Sequence, residues 1–112
     1  MRILRITLGV AGGILLALLA VEGLSEWGKH RTCEDQAALA TNLVTLRNTN
    51  PMLLARVLAD PEGWERLVAP RGMTRTAHSI RLLGPIIQGY PDLSPQAMAA
   101  EVRRQCRDAV GL

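Results

Sequence analysis

The sequence predicts an all-α protein in two parts. Residues 1–24 form one N-terminal transmembrane helix, and residues 25–112 form a small bundle of about four helices pinned by a disulfide. Three observations predict this. Ile6–Val21 runs for sixteen residues without a charge. The rest of the chain contains no Phe and only three aromatic residues, Trp27, Trp64 and Tyr90, so Leu, Ala, Val, Ile and Met must build its core, a composition that favours helices over sheets. Two cysteines, Cys33 and Cys106, lie near the two ends of the second part.

The charge-free run covers about 24 Å as a helix, against a hydrocarbon core of roughly 30 Å. Extended from Ile3 to Leu24 it becomes long enough to span, with Arg5 reaching back to the headgroups and Glu22 at the far interface. Arg2, Arg5 and Trp27 fit membrane-interface positions, and the arginines place the N-terminus in the cytoplasm. The folded part is then expected in the periplasm or outside, attached to the inner membrane. Gly9, Gly13 and Ala17 recur every four residues on one face, a small-residue stripe that lets a second helix approach closely in lipid. The alternative is a cleaved secretory signal, for which Leu18/Ala20 and Val21/Gly23 are the best cleavage frames.

Residues 25–112 are of a size that often needs a covalent staple. Export favours oxidised thiols, so Cys33 and Cys106 are expected to pair. The chain-entropy estimate for a loop of that length is about 4 kcal/mol. The pairing makes the first and last helices of the bundle antiparallel. It puts the bridge near the membrane, with Pro70–Arg75 or Gly89–Asp92 among the loops that could point away.

The first helix of the bundle is expected to start at an N-cap, Thr32, with Glu34 and Asp35 in its first turn, and to run to about Arg47. Cys33, Ala37, Ala40 and Val44 make its apolar stripe, flanked by Leu39, Leu43 and Leu46. Asn50-Pro51, Asp60-Pro61 and Ser94-Pro95 each read as a capping side chain followed by proline at the first helical position. They open short helices over Met52–Ala59 and Trp64–Ala69, and a last helix whose buried face is Met98, Val102, Cys106, Ala109 and Val110. Thr74–Leu83 is a further helix, expected to stop at Gly84-Pro85, and Gly111 closes the last one.

Charge excludes a nucleic-acid partner: over residues 25–112 eleven basic residues face nine acidic ones. Arg66, Arg71, Arg75 and Arg81 form a candidate basic patch, with no acid between Arg66 and Arg81. His30 and His78 are the only histidines and lack zinc-ligand spacing, so no metal and no cofactor are expected. No phosphate loop or nucleophile motif is present, and the chain reads as a non-enzyme.

Glu26, Asp35 and Thr41 follow Glu-x8-Asp-x5-Thr, which resembles the catalytic spacing of phage-type lysozymes. The resemblance spans sixteen residues and three identities, and it would imply catalytic roles for those three positions. The intervening WGKHRTCE and QAALA have helical character where that family has a hairpin and a Thr-Ile-Gly-like stretch. The expected function is a small single-pass accessory or interaction protein that docks on or braces a larger membrane protein, or pairs with itself. The alternatives are a secreted or periplasmic helical binding module or inhibitor, and a phage-type lysis regulator with a releasable membrane segment.

Overall fold

The structure is a computed structural model that describes residues 26–112. Five α-helices account for the regular structure: α1 (Glu26–Thr49), α2 (Pro51–Ala59), α3 (Pro61–Val68), α4 (Thr76–Gly89) and α5 (Pro95–Val110). No strand occurs among the described residues. The bundle therefore has five helices where about four were expected. The expected span, with Arg2, Arg5, Gly9, Gly13 and Ala17, lies outside the described residues. Among the described residues no helix is long and apolar enough to cross a membrane.

All three cap-proline signals hold. Asn50 accepts a hydrogen bond from the Leu53 amide at 3.2 Å, Asp60 from Gly63 at 3.3 Å, and Ser94 from Ala97 at 3.1 Å. Each side chain satisfies an amide that the helix start leaves unpaired, and the following proline has no amide to satisfy. At the far end of α5, Gly111 takes a left-handed conformation (φ 78°) and closes the helix onto the Arg107 and Asp108 carbonyls.

Two boundaries differ from expectation. Thr32 is not a cap: α1 already includes Glu26, and the Thr32 hydroxyl donates to the Gly28 carbonyl one turn back at 2.8 Å. Thr41, Thr45 and Thr49 do the same to Ala37, Thr41 and Thr45. A hydroxyl that finds an acceptor inside the helix removes the pressure to end it. Helix α4 does not stop at Gly84-Pro85 but runs through it. Part of the cost of a proline inside a helix is its clash with the Cβ of the preceding residue, and Gly84 has none. Gly84 also faces Leu58, where an added Cβ would lie 3.3 Å from Leu58 Cδ2, so packing against α2 holds this stretch helical.

Helix α1 is the shared rod of the bundle. It packs against α2, α3 and α4, and most extensively against α5. The main core joins Leu39, Leu43 and Val44 of α1 to Leu54 and Val57 of α2, Val68 of α3, Ile80, Leu83, Ile86 and Ile87 of α4, and Met98 and Val102 of α5. The apolar stripes expected for the first and last helices are the buried ones, with Leu46 and Ala109 at their half-buried margins. A separate cluster of Cys33, Cys106 and Val110 closes one end of the rod.

Candidate functional site

Cys33 and Cys106 are disulfide-bonded, with their Cα atoms 5.5 Å apart and both side chains fully buried. Glu34 lies beside the bridge. Its carboxylate pairs with Arg103 at 2.9 Å and Arg107 at 3.5 Å, both from α5. These contacts make α1 and α5 antiparallel. The opposite end is tied by Arg47, whose guanidinium donates to the carbonyls of Ile87 (3.0 Å), Tyr90 (3.0 Å) and Leu93 (2.8 Å). Gly89–Asp92 thus lies at the Arg47 end of the bundle.

The Pro70–Arg75 loop lies at the end where α1 begins. A Cβ built on Gly72 would sit 3.5 Å from Arg31 Nη2, so the loop backbone passes against the Arg31 side chain. Gly72 adopts a left-handed conformation (φ 77°), as does Arg75 (φ 56°). Only the Gly89–Asp92 alternative for a loop remote from the start of α1 agrees with this arrangement.

One turn before Arg31, Trp27 is 70% exposed, and the Arg31 guanidinium stands over its indole ring at 5.5 Å. Arg71, Arg75 and Arg31 are all exposed. The four-arginine patch is therefore regrouped. Arg71 and Arg75 flank the glycine that packs against Arg31, while Arg81 is taken up by an ion pair with Glu62 on the outer faces of α4 and α3. Arg66 is exposed on α3. The Arg31 contribution had no signal in the sequence, because forty residues of chain separate it from Arg71.

The acids near this end have internal roles. Glu34 serves the α5 arginines, and Glu65 accepts a hydrogen bond from the Ala77 amide at 3.1 Å, in the first turn of α4. Burial holds the Asp35 carboxyl above the usual carboxylate range, with the positive Arg31 pulling the other way and Glu34 adding to the rise. In the same region the buried Gln36 amide donates to Ser79 Oγ on α4 at 2.7 Å.

The lysozyme-like spacing falls on a single rod. Nine helical residues from Glu26 to Asp35 are about 13 Å of rise, and six more to Thr41 add about 9 Å. Paired glycosidase carboxylates stand about 5–9 Å apart across a substrate. Thr41 is also committed to the Ala37 carbonyl at 3.1 Å. His30 and His78 are exposed on α1 and α4, and Cys33 is used in the disulfide. Among the described residues no group of three or more His, Cys, Asp or Glu could hold a metal ion.

The geometric outcome is one end of the bundle that gathers the start of α1, the exposed Trp27, three exposed arginines and the disulfide. Compared with protein families, curated proteins and solved structures, the chain finds no match in any of the three.

Proposed function

We propose that this is a single-pass membrane accessory protein, held by residues 1–24, whose helical domain outside the cytoplasm docks on or braces a larger membrane protein. The observation that carries the reading is the charge-free Ile6–Val21 run, with only four residues between it and the first described helical residue. A buried disulfide joining the first and last helices supports it, because such bridges persist in oxidising compartments. In this reading Gly9, Gly13 and Ala17 form the contact with a neighbouring helix, and Arg2 and Arg5 keep the N-terminus inside. The chain acts by binding rather than by catalysis, and it needs neither cofactor nor metal.

Affinity purification of the full chain in mild detergent tests this. A co-purifying membrane protein, or a dimer weakened when Gly9 and Gly13 are replaced by Leu, is the expected result. A monomer recovered alone overturns it. Mass spectrometry of the mature N-terminus supplies a second decision. A start near Leu24 removes the anchor and leaves a secreted or periplasmic binding module or inhibitor.

A further inference from the structure

We propose that the Cys33–Cys106 bridge is a reversible redox site, and that the last turn of α5 is the lid through which a dithiol reductant reaches it. The proposal rests on the packing around the two sulfurs, and it holds whether residues 1–24 are retained or removed. Both cysteines are fully buried, yet they stand apart from the main core. Their cluster has one other member, Val110. Val110 follows Cys106 by four residues, so it lies on the same face of α5, one turn further out. One turn further in, Val102 on α5 and Ala37 on α1 are buried on the inner side of the bridge. The bundle walls the sulfurs from within, and the Val110 side chain covers them from the outer end.

Little holds that valine in place. Beyond Cys106 only Ala109 and Val110 turn inward. Arg107 meets Glu34 at 3.5 Å with both side chains about half exposed, and Asp108 pairs with Arg104 of its own helix. Exposed pairs of this kind add little. The Gly111 cap keeps the turn helical without tying it to α1. Such a helix end opens far more often than the core does, and its opening displaces Val110. A thiolate of the reductant then attacks one sulfur. The S–S bond breaks, and its electron pair leaves on the other cysteine, which takes up a proton. The second thiol of the reductant gives up its proton, closes onto the mixed disulfide and frees the first cysteine as a thiol. Two electrons and two protons have passed to the protein, and the reductant departs as a disulfide. Met98 and Val102 stay in the main core and Arg103 stays 2.9 Å from Glu34, so reduction releases the part of α5 beyond Arg103 and leaves the fold standing.

The test uses the full chain in mild detergent with dithiothreitol as the reductant. Thiols are trapped with a polyethylene-glycol maleimide, and because the chain has two cysteines the gel shift reads the bridge directly. Reduction in native buffer is expected to go to completion at a rate proportional to dithiothreitol. Urea below the unfolding transition should hardly change that rate, because opening one turn exposes little surface. Val110→Ala should speed reduction about fivefold, the loss of two buried methyl groups less the better helix propensity of alanine. Val57→Ala, in the main core, should lower the urea midpoint and leave the native reduction rate unchanged within about twofold. The reduced chain should keep its helical circular dichroism and regain the bridge with oxidised glutathione. A rate that climbs steeply with urea and responds to Val57→Ala but not to Val110→Ala makes global unfolding the route and overturns the lid. The urea series on the natural chain decides this even if a variant fails to fold. A bridge that resists dithiothreitol until the domain melts, or a chain that loses its helicity on reduction, makes the disulfide purely structural and overturns the redox site.

Discussion

Arg47 is the side chain on which most of one end depends. A single half-buried guanidinium donates to three carbonyls that belong to the end of α4 and the connection into α5. A group that donates several charge-assisted bonds and leaves carbonyls stranded when removed is worth more than an average hydrogen bond. Arg47→Ala should lower stability by about 2–3 kcal/mol in urea unfolding, and Arg47→Lys should recover only part, because an ammonium cannot reproduce the planar fork. Glu101 gives a pH signature. The hydrogen bond from Arg104, with a smaller one from Gln105, holds its carboxyl below the usual glutamate range. A depressed value in the folded state stabilises above the unfolded value and is lost as pH falls through the folded one. Glu101→Gln should therefore cost about 0.5 kcal/mol near neutral pH, a small effect because Arg104 is largely solvent-exposed, and the cost should shrink as pH falls through the lowered folded-state value. Asp35 has the opposite sign: with its folded value raised, its contribution favours the folded state in acid and fades as pH rises through that value.

Helix α4 shows what a local reading of sequence can and cannot reach. Its neighbours α2, α3 and α5 carry their own caps, and those were legible because side chain, proline and helix start are adjacent in the chain. At the N-terminus of α4, Arg75 offers no capping side chain. Glu65 of α3 supplies that role, and Arg47 of α1 satisfies a carbonyl of its last turn. Both partners arrive through the fold, so no spacing rule could have marked them. The continuation through Gly84-Pro85 was hidden for the same reason, since it depends on Leu58 lying opposite Gly84. The disulfide and the buried stripes were legible because composition and helical period need no tertiary information. Two outcomes follow. Glu65→Ala should cost about 1 kcal/mol and increase amide exchange in the first turn of α4. Gly84→Ala should destabilise the natural chain by roughly 1 kcal/mol, yet cost less in a Pro85→Ala background, because the clash of Cβ with the proline ring is then gone. A double-mutant cycle in urea reads that coupling.

At the scale of the whole molecule, the domain is held from opposite ends by different chemistry: a covalent bond between Cys33 and Cys106, and the guanidinium of Arg47. Replacing both cysteines by Ala should lower stability by about 4 kcal/mol, as read by calorimetry or urea unfolding. Hydrogen exchange should show the disulfide end of α1 and α5 opening before the Leu43–Ile87–Met98 core.

The disulfide also decides how the domain carries a mechanical load. If the bilayer pulls on the start of α1 while a partner holds the end of α5, tension enters at Cys33 and leaves at Cys106 through the sulfur bridge. The segment between the cysteines, with a sequence separation of 73, is bypassed. Helices α2, α3 and α4 and the main core then sit outside the line of force. Pulled in an oxidised state, the protein behaves as a short inextensible link. Reduced, it should release about 250 Å of additional chain when it yields.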